Sequence, residues 1–404
     1  VKPLDLMSPV LRRDPYPVYT ELRRSQPIAP VTHPLTGEMW MLTRYADVLA
    51  ALKDPRFSTD SSKVGRGMKV MESWWMPRSF KRVQRNMLSV DEPDHRRLRD
   101  LVHQAFTPRM IEGLNARIGQ ITSALLDDMA RQPAADLVRD FALPLPVTVI
   151  AEMMGVPQAM GSHFHRWSGA MLDAGSSGWL GVIFKLPQIL RLMGFLEKLA
   201  QLRRTAPADD LTTALVQARQ GDDRLTEDEM ISVMFLLLVA GHETTVALLG
   251  AGMLALFENP AQLALLKAQP DLIDSAIEEL LRYTTPVMTG AARFLLEDVT
   301  LHGQRLPRGS TIALNLAAAN RDETVFDNPD TLDITRSPNR HLGFGMGIHY
   351  CLGAPLARLE ARIGLLTLLA RFPGIRPARP DAPPDWRPSI AARGLRALPV
   401  HLGA

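Results

Sequence analysis

The protein's only cysteine, Cys351, stands in the stretch Phe344 to Gly353, FGMGIHYCLG, behind glycines and a histidine. One cysteine in 404 residues excludes a disulfide framework and an all-cysteine metal cage. What remains is an inert buried thiol, the ordinary state of a free Cys, or a lone reactive ligand. Gly345, Gly347 and Gly353 carry no Cβ, so the backbone can turn sharply here and let a large flat object approach the sulfur. Downstream, Ala354, Pro355, Leu356 and Ala357 open an apolar-periodic helix predicted to run to about Arg371, with Pro355 in a first turn that does not need its N–H. Cys351 therefore precedes a helix N-terminus, whose unpartnered N–H groups and partial positive charge favour thiolate over thiol. A thiolate under a surface cleared by glycines is the arrangement of a haem axial ligand, one that pushes electron density onto iron and favours O–O cleavage.

Other stretches place chemistry on helices. In LTEDEMISVMFLLLVAGHETTVALLGAGML, Thr226 and Glu229 form a capping box that starts a long helix, apolar nearly all round and so predicted to be buried. Such a helix has no cheap place for Glu243, Thr244 and Thr245. An unpaired buried carboxylate is expensive, and the hydroxyls add to the cost unless they line a polar groove. These residues make either an ordinary buried hydrogen-bond network or a watered catalytic groove. In AIEELLRYTTP, Glu279 and Arg282 stand at i, i+3 on a helix predicted to stop before Pro286. In PDHRRLRDLVHQAF, His95 and Arg99 stand four apart on one helix face. Taken alone, each pair describes a surface helix.

Together these stretches resemble the cytochrome P-450 family. Phe344, Gly345, Gly347, His349, Cys351 and Gly353 fall at the spacing of its haem-binding loop, AGHETT matches its oxygen-activation motif, and the motifs follow in family order over nearly the whole chain. The resemblance implies heme b, iron protoporphyrin IX, with Cys351 as axial thiolate and Phe344 and Gly353 beside it. It implies haem propionates bound by His95, Arg99, Arg293 and His349, the planar Arg fork suiting a carboxylate. Gly241 would loosen the long helix, with Glu243 as the acid and Thr244 as the alcohol of oxygen activation. Glu279, Arg282 and Arg336 would form a structural network that holds the thiolate loop. The implied fold is mainly α (α+β), a helical triangular domain with small β-sheets, haem lying between the Glu243 helix and the Cys351 helix. The implied activity is a haem-dependent monooxygenase that inserts one atom of O2 into a medium or large apolar substrate such as a polyketide, terpenoid, steroid or fatty acid. Met171 to Phe184 would lie over the substrate entrance, and Pro286 to Ala292 would face the substrate. Met76, Met171, Ala240, Val287, Met288 and Ile390 are read as pocket residues, since Met-rich walls adapt to irregular shapes, although core packing is the ordinary role of any one of them.

The elements that must position these residues are partly legible. GEMWMLT followed by YADVLAALKD reads as strand then helix, with no GxGxxG or GxxxxGK to hold a nucleotide. Phe57 to Asn86 dissolves into an irregular loop rich in Gly, Ser, Met and Trp, and residues 109 to 220 read as several amphipathic helices. No linker, low-complexity block or solenoid repeat interrupts the chain, so residues 1–404 are read as a single domain, and 46% hydrophobic residues suffice for a substantial core. No apolar run approaches the roughly 18 residues of a membrane span. The opening VKPLDLMSPVLRRDPYP is too polar for a signal peptide or anchor, which points to a cytoplasmic protein, although the chain opens on Val1 and is compatible with a removed upstream segment.

Against 43 acidic residues stand 46 basic ones, and a net charge of +3 gives no argument for nucleic acid. The basic runs Arg78, Lys81, Arg82, Arg85 and Arg96, Arg97, Arg99 lack interleaved stacking aromatics. About fifty residues follow Cys351, too few for a fused reductase, so electrons are expected from a ferredoxin or flavodoxin with its NAD(P)H-dependent reductase. An acidic partner would dock on the Cys351 side at Arg358 and Arg362, with Arg96 and Arg97 nearby. A haem-thiolate peroxygenase using hydrogen peroxide would need no proton relay, so Glu243 and Thr244 count against it. A non-catalytic haem sensor or carrier would need no open apolar pocket.

Overall fold

Helix boundaries follow local chemistry. Asp94–Ala105 (α1) is amphipathic and buries His95, Leu98, Leu101, Val102 and Ala105 on one face. Glu227–Glu258 (α2) starts at a complete capping box, with Thr226 accepting from the Glu229 N–H and Glu229 accepting from the Thr226 N–H, and its first turn carries Glu227, Asp228 and Glu229 against the helix dipole. Its 32 residues span about 48 Å. Asn259, which precedes Pro260, ends it. Ile273–Thr284 (α3) ends where Thr285 turns left-handed ahead of Pro286. Ala354–Arg371 (α4) begins with Pro355 in its first turn.

The computed structural model describes all residues except 1–2, 34–36, 66–84, 162, 165–166, 168–177, 221–222, 388–391 and 404, and of 158, 178–184 and 220 it describes only the backbone. The expected strand and helix after residue 36 are Gly37–Leu42 and Tyr45–Lys53. Among residues 109 to 220 lie the helices Asn115–Ala130, Pro144–Met153, Gly178–Thr205 and Leu211–Gln217. The irregular stretch after Phe57 opens with a short strand and the 3-10 turn Ser61–Val64.

A twisted sheet of six strands packs beside the helices. Its strands are Leu4–Asp5 (β1), Ile28–His33 (β2), Gly37–Leu42 (β3), Phe57–Ser58 (β4), Arg293–Leu295 (β5) and Thr311–Leu314 (β6), in the order β1-β2-β3-β6-β5-β4. β2 and β3 form an antiparallel hairpin, β6 adds to β3 in parallel with Ile312 opposite Trp40, and β5 is antiparallel to both β6 and β4.

The largest apolar cluster joins α1, α2, α3 and α4 through residues such as Leu98, Leu248, Leu280 and Leu365. A second cluster packs under the sheet and takes in Leu342, from the segment that leads to Cys351, beside Leu42 and Leu314. The cysteine loop thus bridges the helical core and the sheet.

Among the described residues α2 is the one helix long and apolar enough to cross a membrane by length and composition, so the expectation that no run reaches that length fails here. More than half of its apolar window is buried inside the protein. The polar residues at 241–245 interrupt the apolar text without lowering its average below that of a membrane span.

Candidate active site

The cysteine loop is built by left-handed glycines. Gly345 and Gly347 have φ of 69° and 77°, and a Cβ at Gly347 would stand 2.6 Å from the Leu52 carbonyl oxygen, so no other residue fits there. The Cys351 N–H donates to the Phe344 carbonyl at 2.9 Å, which closes the loop on itself. Gly353 differs from the expectation of a sharp turn, because its φ is −81°. A Cβ there would meet only the Cys351 sulfur, at 4.0 Å, so this glycine keeps the surface beside the sulfur flat rather than turning the chain.

Burial pushes the Cys351 thiol above its usual range, and the N–H groups of Gly353 and Ala354 and the charges of Arg99 and Arg358 pull it back. The helix start therefore acts in the expected direction, but the apolar surroundings outweigh it. A cationic metal at the sulfur would supply the missing charge.

Basic side chains converge from separate elements. His95 on α1 is 2% exposed, Arg293 opens β5 at 3%, and His349 lies in the 3-10 turn Gly347–His349 before the cysteine. The rings of His95 and His349 meet edge to face with centroids 4.4 Å apart. Arg99, one turn beyond His95, donates to the Ile348 carbonyl at 2.8 Å. His95 Nε2 and His349 Nδ1 are buried with no hydrogen-bond partner.

Burial, with Arg293, His95 and Arg99 nearby, drives His349 down to about 3, and burial lowers Arg293 to about 10. Asp91, the acid that partly offsets this charge, is already taken by Lys63 at 2.7 Å, by the Ser58 hydroxyl and by the Thr59 N–H at 3.0 Å. Burial raises Asp91, but these partners win and hold it at about 2. Orphaned nitrogens and surplus buried positive charge fit a ligand that brings its own carboxylates. Asp91 escaped the sequence reading, although its place just ahead of the His95 helix was a signal.

Across from the loop, α2 opens at its centre. Met230 to Met234 and Thr245 to Met253 are buried, whereas Ala240 is exposed and Gly241, Glu243 and Thr244 are half-buried. The helix stays unbroken from Glu227 to Glu258, so Gly241 does not loosen it into a gap. Instead the Thr244 hydroxyl donates back to the Ala240 carbonyl at 3.0 Å and the Thr245 hydroxyl to that of Gly241 at 3.5 Å, bonds of the kind that bend helices. Burial raises Glu243 above the ordinary carboxylate range, opposed by the charge of Arg387.

Glu279 and Arg282 are both 0% exposed and paired through Arg282 Nε and Nη2, at 2.7 and 2.8 Å. Arg336 joins Glu279 at 3.1 Å, as do Asn339 and the Asp333 N–H, while Arg282 holds the carbonyls of Asn320, Pro329 and Thr331. The cluster ties down residues 320–339 and touches no atom of Cys351. Direct control of the loop falls to residues the sequence reading missed. Asn320 Oδ1 accepts from the Leu342 N–H at 2.7 Å, and His341 Nδ1 accepts from the Gly343 N–H at 3.0 Å. Glu278 grips both His341 and Arg358, and the Arg358 guanidinium lies 4.5 Å from the Phe344 ring centroid.

The cations of the expected docking face are paired within the protein. Arg358 forms a two-point bridge to Glu278, Arg362 one to Asp274, Arg96 pairs with Glu92, and Arg97 pairs with Asp223 and Glu229. None of these cations is a free charge.

The pocket residues divide. Val287 is half-buried and bridges to Ala392, while Leu395, three residues on, bridges to Trp386. Met288 does not share its side. In extended chain alternate residues face opposite ways, and Met288, 6% exposed, packs with Leu6, Leu11 and Tyr19 on the face of the sheet opposite the Leu42 cluster. Thr289, in step with Val287, was passed over. Met76, Met171 and Ile390 lie outside the described residues, as does the first half of the segment from Met171 to Phe184.

A family profile described as "Cytochrome P450" matches residues 188–390. The chain is 44% identical over 393 residues to "Polyketide biosynthesis cytochrome P450 PksS" of Bacillus subtilis, covering 96% of each, and the solved structure of that protein superposes with a TM-score of 0.91 over 98% of this chain and 99% of that one. It is 39% identical to the 6-deoxyerythronolide B hydroxylase of Saccharopolyspora erythraea over 404 residues, covering 98% of each. A myxobacterial relative, CYP267B1, solved in complex with myristic acid, superposes with a TM-score of 0.90 at 40% identity, covering 99% of both chains. With this architecture, and with sequence agreement running the length of the chain, the protein belongs to the cytochrome P-450 family of haem-dependent monooxygenases.

Proposed function

We propose that the whole chain works as one domain that hydroxylates or epoxidises a medium or large apolar substrate of the polyketide or long-chain acyl class, on a heme b ligated by Cys351. The observation that carries the cofactor site is the buried meeting of His95, Arg99, Arg293 and His349, with partnerless nitrogens on both histidines, beside the sulfur and its flat glycine. When bound, haem supplies activation of O2 with two electrons. Support for the substrate class comes from relatives named for polyketide biosynthesis and for 6-deoxyerythronolide B, and from one solved with a fatty acid.

The chain's own residues supply the rest. Cys351 Sγ would be the ligand, and Arg99 and Arg293 would balance the charge of the propionates, with His95 and His349 placed to hydrogen-bond to them. Glu243, half-buried and inclined to keep its proton, is the store from which protons are drawn, and the Thr244 hydroxyl, released from the Ala240 carbonyl, holds the water that passes them on. Val287, Thr289 and Ala240 border the apolar side where substrate lies, and that surface excludes bulk water. Bacterial members of this family take electrons from separate redox proteins. A ferredoxin or flavodoxin with its NAD(P)H-dependent reductase fits the Cys351 face.

Replacing Cys351 by His tests the assignment. The reduced carbon monoxide complex of the wild type is expected to show the thiolate-type absorption, and Cys351→His to lose it. A variant that keeps that spectrum would remove Cys351 from the iron. Spectral titration of wild type with macrolide precursors and fatty acids then tests the substrate class.

A further inference from the structure

A small cavity on the Met288 face of the sheet collects arginines and no acid. Arg12, Arg387 and Arg393 line it, with Tyr19, Met288 and Thr289 among its other walls, and no Asp or Glu among the described residues shares the lining. It has room for about one water-sized group, such as the end of a longer molecule.

The arginines are not equivalent. Arg393 is 8% exposed, lies 3.8 Å from the Trp386 ring centroid and donates to the carbonyls of Arg12 and Arg13 at 3.3 and 3.0 Å. Those carbonyls close the helix Pro9–Arg13, whose last turn has no intrahelical donors for them, so Arg393 is a structural cap. Arg12 is exposed. Arg387 is half-buried, and its Nε donates to the Leu395 carbonyl at 3.2 Å. Among the described residues its Nη groups make no hydrogen bond and no carboxylate comes within ion-pair distance, and neither Nη is sealed off from the cavity. With Nε tied to its own hairpin, Arg387 offers the two-pronged Nη end, a fork that matches one carboxylate.

Backbone pairing sets where that fork stands. Trp386 bridges to Leu395, and the Arg387 N–H donates to the Gly394 carbonyl at 2.9 Å, so Arg387 and Gly394 lie opposite one another and share a face of the antiparallel pair. A Cβ at Gly394 would stand 3.5 Å from the Ala247 Cβ, so this face looks onto α2, one turn beyond Glu243 and Thr244. The charge of Arg387 reaches Glu243, but no ion pair joins them. From the other strand of the pair, Ala392 bridges to Val287. Arg387 stands where the cavity, the strip from Val287 to Thr289 and α2 come together.

A half-buried guanidinium without an acid, beside an apolar site, carries a desolvation cost that an arriving carboxylate offsets. We infer that this cavity is the carboxylate subsite of the substrate: Arg387, with the Thr289 hydroxyl beside it, takes the acid end of a long-chain or polyketide acid whose chain runs past Val287 towards Ala240. Arg387 is then a specificity-determining residue that selects a free acid over the ester of the same chain. The inference rests on the reading of Val287, Thr289 and Ala240 as the substrate side.

The experiment measures binding to the haem-loaded enzyme by calorimetry and by the haem spectrum, at a pH where dodecanoic acid is ionised, with dodecanoic acid and its methyl ester as probes. Wild type is expected to bind the acid about tenfold more tightly than the ester, the scale of a charge-assisted hydrogen bond. That ratio is expected to fall to about one in Arg387→Leu and in the milder Arg387→Gln, which keeps a donor for the Leu395 carbonyl, and to lie between in Arg387→Lys, a charge without the fork. Equal binding of acid and ester by wild type overturns the proposal. So does a ratio that survives Arg387→Gln, including one that survives because both probes weaken together, since the residue then serves the hairpin or Glu243 and not the ligand. A third probe, the neutral lactone 6-deoxyerythronolide B, separates this from the wider reading. Wild type that binds the lactone and shows no preference for the acid keeps its substrate class and loses the subsite, whereas wild type that binds none of the probes loses both.

Discussion

Glu243 and Thr244 are neighbours in sequence but differ in what surrounds them. The threonine hydroxyl is turned back onto its own helix at Ala240, whereas the glutamate has no ion-pair partner among the described residues and burial raises its pKa above the ordinary carboxylate range, against the charge of Arg387. Their losses should differ accordingly. Thr244→Ala is expected to go on consuming NADPH while releasing peroxide in place of product. Glu243→Gln is expected to slow turnover about 10²-fold, the usual scale of general acid catalysis, with substrate binding intact in both. Measuring product formed per NADPH checks the first, and a normal rate in Glu243→Gln would end the second.

Glu360, buried on α4, yields a prediction about stability. Its folded value of about 8 lies above the 4.5 of an unburied glutamate, so between those values the folded chain holds a proton that the unfolded chain has released. The associated stability is complete below 4.5 and is lost as pH rises through 8, at up to roughly 1.4 kcal/mol per pH unit. Glu360→Gln should therefore flatten the fall of melting temperature across that window. Parallel curves for the two proteins would mean that the buried group is ionised.

At the scale of elements, α3 is the anchor. Glu279 and Arg282 share their charges with Arg336, Asn339 and backbone groups from 320 to 333, so removing the carboxylate strands two buried guanidinium groups at once. Glu279→Ala is expected to cost about 3–5 kcal/mol and to yield insoluble or haem-poor protein. Haem-replete, soluble Glu279→Ala protein would reduce the cluster to decoration.

Much of this element was readable in advance because its signals are local: Pro286 stops the helix, the capping box starts α2, and the i, i+3 spacing pairs Glu279 with Arg282. Readability failed where partners are distant. Glu278 looked like one more exposed acid, yet it meets Arg358 eighty positions away and His341 in the cysteine loop. Likewise the spelling of Pro286 to Ala292 marks an extended strip but not which residues face the sheet, which is why Met288 was placed on the wrong side. The glycine pattern was legible as a clearing, but only backbone angles separate Gly345 and Gly347, which turn the chain, from Gly353, which does not.

Across the whole molecule, charge on the cysteine face is largely settled internally. Arg358 and Arg362 each lean on an acid of α3, so an acidic ferredoxin meets paired ions, and steering by them should be modest and soon screened by salt. Arg362→Glu would place a second acid beside Asp274, and reduction by an acidic ferredoxin is expected to slow at low salt and recover as salt rises. A stopped-flow rate unchanged by the substitution would put the docking face elsewhere.

The same face holds the chain's single sulfhydryl, and in a protein with one cysteine every thiol-directed reagent asks one question. Because Cys351 is the only group such a reagent can label, the labelled fraction of a preparation counts the molecules whose sulfur is not engaged. Loading with cofactor thereby becomes a quantity that can be read chemically, without light absorption and without a substrate.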